Sequence, residues 1–314
     1  MDFNDTSKEA DFRTKVRKFL DDNCEKRSNN SDTVQGGSAG APESVKGGES
    51  VAKESLKKAK EFQIKKSDAG FAAILWPKEF GGYEGSPIEQ VIYQQEEINY
   101  FVHSGYFEIG IGMLGPTMMV WGKDEHKKRY LPKMITGEEI WCQLFSEPAA
   151  GSDLGGIKMK AEKDGDDYIV NGTKIWTTHA QFADHIFCLV RTDAEAKPQA
   201  GISFLLFDMD LPGIKVEPVV MFSGEHELNQ VFFEDVRVPQ ANRVGPENKG
   251  WTVAKYLLEF ERGNAYAGAL QGGVARIREI AKQERYDGGR LIDDPAFAAK
   301  LAQCEVTVEA IQYT

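Results

Sequence analysis

Cysteine is scarce in this sequence, and none of the cysteines is paired in a motif. Cys24, Cys142, Cys188 and Cys304 are dispersed through 314 residues without a C-x-x-C spacing. This pattern excludes a disulfide framework or a cysteine zinc site and favours buried thiols in a reducing compartment. The five histidines are also scattered, so no metal-ligand motif is formed and no metal site is predicted.

An excess of basic residues is lacking, and so are long apolar runs. The formal net charge is −11, which argues against nucleic acid as a main partner because phosphate binding needs a basic field. No apolar run reaches the length of a membrane span, and the acidic stretch 1–5 lacks the apolar region of a signal peptide. The sequence therefore predicts a soluble protein of the cytoplasm, or of the mitochondrial matrix if the source is eukaryotic.

Two common catalytic patterns are missing or misleading. The sequence has no G-x-S-x-G elbow, which makes a serine hydrolase unlikely. Residues 110–115 match G-x-G-x-x-G, but Pro116 follows at once and no parallel βαβ pattern surrounds the match. We interpret these glycines as small residues needed for helix packing rather than as a dinucleotide site.

The most informative stretch runs from Trp141 to Ala180. An apolar run, 140–145, predicts a buried strand, and it is followed by a loop of small residues, 146–153, that lets a ligand approach the backbone. Asn171-Gly172 between β-rich segments predicts a hairpin whose second arm carries Trp176, Thr177 and Thr178. One indole beside several hydroxyls suits a flat, hydrogen-bonding ring, whereas the alternative is a structural corner with a core tryptophan.

Apolar periodicity predicts helices before this stretch and after it, with strand signals between, which is an α+β architecture. We expect an N-terminal helical domain (1–138), a middle antiparallel β-domain (139–240) and a C-terminal helical domain (241–314). A long helix is predicted from Asn248 to about Arg285. The Ser-, Asn- and Gly-rich segment 27–50 is predicted to be a mobile surface insertion.

Several linked motifs resemble the acyl-CoA dehydrogenase family: Ser146-Glu147-Pro148-x-Ala150-Gly151-Ser152-Asp153, followed by Asn171-Gly172-x-Lys174-x-Trp176-x-Thr178. The resemblance covers nearly the whole chain; Ala149 departs from it, since many members have Gly there. It implies the helical, β and helical domains of that family and FAD-dependent α,β-dehydrogenation of an acyl-CoA thioester. Because members continue with more bundle helices, we expect this chain to be a C-terminally truncated and inactive fragment.

The resemblance also implies site residues and partners. Flavin contacts are carried over to Phe145, Ser146, Gly151, Ser152, Trp176 and Thr178. Leu144, Ser152 and Arg262 are expected near the acyl-CoA substrate. Electrons would pass to an electron-transfer flavoprotein, in fatty-acid β-oxidation, from a dimer or tetramer of like or unlike subunits.

Glu261 is the candidate catalytic base. Most members take this glutamate from a segment beyond Thr314, whereas a minority takes it from the helix after the β-domain, where Glu261 falls by motif. Independently, Glu261 lies four residues from Leu257 and three from Leu258, which places it on an apolar helix stripe. A carboxylate there is costly unless it is functional or is paired, for example with an arginine across a subunit interface.

The sequence leaves two alternative functions open. One is a non-catalytic or half-site subunit of a heteromeric acyl-CoA dehydrogenase. The other is a related flavin oxidase or monooxygenase on the same fold, because a fold by itself does not fix the reaction.

Overall fold

A computed structural model describes residues 4–27, 48–103, 105–222, 224, 226–262 and 267–312. Helices come first, an eight-stranded sheet follows, and helices close the described chain, as the sequence predicts. The helices are α1 (Ser7–Asn23), α2 (Gly48–Asp68), α3 (Pro87–Glu97), α4 (Gly115–Trp121), α5 (Asp124–Thr136), α6 (Gly250–Arg262), α7 (Ala267–Gln283) and α8 (Pro295–Gln312). No helix in these residues is long and apolar enough to cross a membrane.

The strands fall into one large sheet and two small pairs. The large sheet contains β3 (Trp141–Leu144), β4 (Lys160–Asp164), β5 (Asp167–Thr178), β6 (His185–Arg191), β7 (Ile202–Asp208), β8 (Ile214–Val219), β9 (Leu228–Pro239) and β10 (Arg243–Val244). The pairs are β1 (Glu25–Lys26) with β2 (Tyr100–Phe101), and β11 (Arg285–Tyr286) with β12 (Gly289–Arg290).

The described chain divides into two compact units. The first contains the described residues within Met1–Ala41, Gly85–Gly105 and Asn264–Thr314, and the second contains those within Pro42–Glu84 and Tyr106–Gly263. These units join segments that are distant in sequence, whereas the predicted division at 138 and 240 follows chain order. The three-domain division therefore stays a prediction.

In the first unit, α1 is one of the helices that apolar periodicity predicts before the sheet. Phe12, Val16 and Leu20 are its buried residues, and Thr6 begins it with a capping box. Glu96 of α3 accepts hydrogen bonds from two arginines of α1, at 2.9 Å from Arg13 Nη1 and 2.7 Å from Arg17 Nε. Helices α7 and α8 of the same unit contact each other, with an ion pair between Arg278 and Glu305.

In the second unit, the sheet has the strand order β10-β7-β6-β4-β5-β9-β8, with β3 beside β6. Most neighbours are antiparallel, as predicted, but β3 runs parallel to β6 and a single parallel bridge joins β4 to β6. The predicted antiparallel domain is therefore mixed at these two contacts. The reason is that β3 enters the sheet from the helical segment rather than through a hairpin.

The predicted Asn171-Gly172 hairpin is wrong. Both residues lie inside β5, at a register shift against β9, and the tight turn between β4 and β5 is at residues 165–166. Asn171 Oδ1 accepts a hydrogen bond from Asp235 N across the shift, at 2.9 Å. Gly172 has φ +152°, and a Cβ there would meet Met159 at 2.8 Å. A bulge uses the same permissive residues as a turn, which explains the misassignment.

Two other predicted segments differ from or fall outside the structure. Within the predicted helix 248–285 the structure contains two helices, α6 and α7, and residues 263–266 between them lie outside the described part. The predicted insertion 27–50 lies outside the described residues apart from its first residue and its last three, which begin α2.

The G-x-G-x-x-G match is helical, as expected from its rejection as a nucleotide loop. Residues 109–114 form a π-helical turn that continues into α4. A Cβ on Gly115 would meet the Trp76 ring at 2.0 Å, so this glycine is required for packing.

The two faces of β3 belong to different apolar clusters. Trp141 and Phe145 pack into a cluster that includes Val253, Ala254 and Leu257 of α6, whereas Cys142 and Leu144 pack into the cluster on the other face. Because side chains alternate along a strand, Gln143 shares the face of Trp141 and Phe145, which α6 covers.

Candidate active site

The end of β5 carries an exposed tryptophan in a strained backbone conformation. The β5–β9 register shifts between Lys174 and Thr177, and Ile175 N instead donates a hydrogen bond to Ser146 O at 3.0 Å. Trp176 has φ +61°, and the residue is 58% exposed. The left-handed region costs an L-residue about 1–2 kcal/mol, and such strain concentrates at functional sites. The bulge therefore turns the indole outward beside the end of β3.

A buried ion pair fixes this bulge to the loop after β3. Lys174 is 0% exposed, and its Nζ donates to Glu147 Oε1 at 2.9 Å and to Phe145 O at 3.0 Å. Glu147 also accepts from the main-chain nitrogens of Lys158, at 2.7 Å, and Met159, at 3.0 Å. One carboxylate thus holds both ends of the loop 147–159. We assigned Glu147 and Lys174 no role from the sequence, although both lie in the quoted motifs.

The small-residue loop itself presents its backbone to open space. Ala150 is buried and bridges to Glu147, while Gly151 and Ser152 are exposed. A Cβ added to Gly151 would meet no atom within 4 Å. Packing inside the described chain therefore does not require this glycine, and the space beside it is free for a ligand.

The predicted flavin and substrate contacts divide into surface and interior residues. Ser146 and Thr178 are half-buried at the strand ends that the bulge joins. Phe145 is buried against Phe187 and Phe204, with ring centroids 5.8 and 6.1 Å away, and Leu144 is buried in the opposite cluster. Any ligand contact of Phe145 or Leu144 must therefore use the main chain.

Two buried polar side chains beside Trp176 lack hydrogen-bond partners within the described residues. They are Thr177, through Oγ1, and His179, through both ring nitrogens. His179 packs against the rings of Tyr106 and Phe182, and burial lowers its pKa from 6.5 to about 4. The imidazole is therefore neutral at neutral pH. Sequence reasoning gave His179 no role.

Glu261 lies one turn after the buried Leu257 of α6, as its spacing predicts. It is half-buried, and Gln143 Nε2 donates a hydrogen bond to Glu261 Oε2 at 3.4 Å. This amide is the hydrogen-bond partner of Glu261 within the described part of the chain. Arg262 is exposed. Gln143 was not among the predicted site residues, and the sequence signal for it is a polar residue within an apolar strand.

Contacts of the carboxylate and of the tryptophan bulge lie near the same end of β3. Gln143, which contacts Glu261, precedes Ser146 by three residues, about 10 Å at the rise of a strand. Ser146 O in turn accepts from Ile175, next to Trp176. The arrangement combines an exposed aromatic face, hydroxyl groups, a free loop backbone and a carboxylate.

Cavities elsewhere in the second unit do not include the predicted site residues. One, of about 470 Å³, is lined by residues of β4, the end of β6 and the segment before α6. The other, of about 550 Å³, lies against α5 and the end of α2. Among the described residues, no group of three or more His, Cys, Asp or Glu side chains is arranged to hold a metal ion.

Three family models match the chain in order. They are the acyl-CoA dehydrogenase N-terminal domain over residues 6–138, the middle domain over residues 142–236 and the C-terminal domain over residues 248–314.

Individual relatives agree with these matches. The acyl-CoA dehydrogenase IpdE1 of Mycobacterium tuberculosis is 34% identical over 78% of this chain and 63% of its own length. A cyclohexane-1-carbonyl-CoA dehydrogenase of Geobacter metallireducens is 30% identical over 77% of this chain and 65% of its own. The chain thus spans less than two thirds of both curated relatives. A crystal structure of the ChsE4–ChsE5 complex from Mycobacterium tuberculosis is similar with a TM-score of 0.78 and 30% identity, over 99% of this chain and 75% of that one.

Proposed function

The chain belongs to the acyl-CoA dehydrogenase family, and we propose on that basis that the protein is an FAD-dependent dehydrogenase that forms an α,β double bond in an acyl-CoA thioester. The observation that carries the proposal is the exposed, left-handed Trp176 beside the end of β3. A residue that is strained and solvent-exposed at once contributes little to the core, so its conformation is best explained by a bound ring.

The residues around Trp176 fit a flavin. Trp176 offers a flat face, Ser146 and Thr178 offer hydroxyl groups, and Gly151 and Ser152 leave the loop backbone accessible. The buried Thr177 hydroxyl has no partner in the described chain, so an additional hydrogen-bonding group beside this strand would satisfy it. When bound, FAD supplies the two-electron acceptor that no protein side chain provides.

Glu261 acts as the base in this proposal. Its carboxylate takes the α-proton of the thioester, while hydrogen-bond donors near the acyl carbonyl stabilise the negative charge that develops on oxygen. The position on the buried stripe of α6 limits water around the carboxylate, since Leu257 one turn earlier is fully buried. Arg262 is exposed beside it and is proposed to lie towards the charged part of acyl-CoA.

The substrate and the electron acceptor are proposed at the level of class. A relative named for cyclohexane-1-carbonyl-CoA supports testing ring-bearing acyl groups besides straight and branched chains. The family resemblance supports an electron-transfer flavoprotein as the acceptor.

The test measures the absorbance of the protein-bound flavin while acyl-CoA reduces it in the absence of oxygen. In the full-length protein, the wild-type flavin is expected to bleach with at least one member of a panel of straight-chain, branched and cyclohexane-carbonyl thioesters. Glu261→Gln should bleach at least a thousandfold more slowly, because an amide cannot accept the α-proton. Glu259→Gln is the matched control: Glu259 is exposed on the same helix, and its loss should leave the rate unchanged.

Two outcomes would contradict the proposal, one for the base and one for the reaction. Wild-type bleaching by Glu261→Gln would remove Glu261 as the base. Hydrogen peroxide release in air at the rate of substrate consumption would favour a flavin oxidase.

A second candidate is a half-site subunit of a heteromer. It is supported by the similarity to the ChsE4–ChsE5 complex, which by its name contains two different proteins. Under this alternative, the purified protein would bind flavin that no acyl-CoA bleaches until a second, related chain is added.

A further inference from the structure

Gln143 is a polar residue on an otherwise apolar face. Trp141 and Phe145 flank it on the same face of β3, and both belong to the cluster that α6 covers. A leucine would fill this place without a hydrogen-bonding requirement. Instead, the Gln143 Oε1 atom is buried without a partner in the described residues, which is an unfavourable arrangement that needs a reason.

The reason is found on α6. Gln143 Nε2 donates to Glu261 Oε2 at 3.4 Å, and the neighbours of Glu261 along the stripe are apolar. The bond engages one carboxylate oxygen and leaves the other free. A glutamate side chain has three rotatable bonds, so without this bond the free oxygen would sample several positions.

We propose that Gln143 is a positioning residue for the base Glu261, an inference that rests on the proposed dehydrogenation. In the reaction the Cα–H bond of the thioester breaks, the proton goes to a Glu261 oxygen, and the electron pair stays on the substrate. Gln143 holds Oε2 before and after this transfer, because that oxygen accepts a hydrogen bond in both the carboxylate and the acid. The oxygen that takes the proton is thereby kept aimed at the α-carbon.

The first test separates positioning from binding. Gln143→Met keeps the length of the side chain and removes the amide. It is expected to lower kcat about tenfold with KM changed less than twofold, and to increase the kinetic isotope effect of an α-deuterated substrate. Gln63→Met is the matched control, since Gln63 is a buried glutamine that donates to Ile135 O at 2.7 Å. It should lower thermal stability and leave kcat and the isotope effect unchanged.

The second test asks whether the effect acts through Glu261. In Glu261→Asp the carboxylate is one methylene shorter and no longer reaches the amide, so adding Gln143→Met should change the residual kcat less than twofold. Should Gln143→Met fail to fold, Gln143→Asn keeps a polar side chain and tests the same contact, with the same expected loss.

Wild-type kcat and isotope effect in both Gln143 variants would overturn the inference while leaving the proposed function intact, provided that Glu261→Gln is inactive. A full tenfold loss from Gln143→Met in the Glu261→Asp background would also overturn it, because the effect would then be independent of the base. Wild-type activity of Glu261→Gln would overturn both.

Discussion

At the scale of single residues, the site contains backbone conformations and buried polar groups that folded proteins normally avoid. Trp176 and His179 both have positive φ, at +61° and +60°. The buried polar atoms of Thr177 and His179 have no partner within the described residues. Real proteins depart from local rules mostly where function requires it. These departures lie within four consecutive residues, 176–179.

His179 makes stability depend on pH. Its pKa is lowered by burial to about 4 in the folded chain, against 6.5 in the unfolded chain. Between these values only the unfolded state binds the proton, so stability is full above pH 6.5 and falls as the pH drops towards 4. The difference corresponds to about 3 kcal/mol over the whole window.

The measurement is the free energy of unfolding from urea titrations at several pH values from 7.5 to 4. His179→Phe, which keeps a ring between Tyr106 and Phe182, removes the titrating group. Wild type is expected to lose about 2–3 kcal/mol more than this variant over the window. Equal losses in the two proteins would show that His179 is protonated without cost in the folded state.

At the scale of elements, β5 shows what sequence could and could not predict. The quoted motifs contain Glu147 and Lys174, whose contact brings the second half of β5 to the loop after β3. The Asn171-Gly172 turn is wrong because a long strand with two register shifts uses the same residue types as a hairpin. Which of the two forms is decided by pairing with β9, whose paired residues lie fifty or more positions later. Such pairing is not visible in a local pattern.

The ion pair between Lys174 and Glu147 joins β5 to the loop after β3 and holds the bulge in place. Lys174→Met leaves the Glu147 carboxylate buried without its cation, and the expected cost is about 3–5 kcal/mol in the free energy of unfolding. Replacing both partners, as in Lys174→Met with Glu147→Gln, should recover part of that loss. Urea denaturation followed by circular dichroism measures all three.

Lys163→Met is the matched control, because Lys163 pairs with Glu247 at 2.8 Å but is 55% exposed. An exposed pair contributes less than about 1 kcal/mol. If Lys174→Met costs no more than Lys163→Met, the buried pair does not hold the bulge.

At the scale of the whole molecule, composition and periodicity predicted the order of helices, sheet and helices. Packing between distant segments was not predictable in the same way. Gly115 is needed because Trp76 covers it, and the second compact unit joins α2, the sheet and α6 across gaps in sequence. Similarly, the contact between Gln143 and Glu261 depends on the position of α6 and is not visible in the sequence pattern. Periodicity identifies a face, whereas the identity of what covers that face is a tertiary property.

The central claim is that the flavin binds against the ring of Trp176. It is tested most directly by titrating the purified apoprotein with FAD and following flavin fluorescence. Trp176→Gly relieves the left-handed strain, so the apoprotein should be no less stable than wild type. Its FAD dissociation constant should nevertheless rise tenfold or more, because the stacking face is lost. Glu84→Gly, at another exposed position with φ +61°, should leave that constant unchanged. A wild-type dissociation constant in Trp176→Gly would contradict the account.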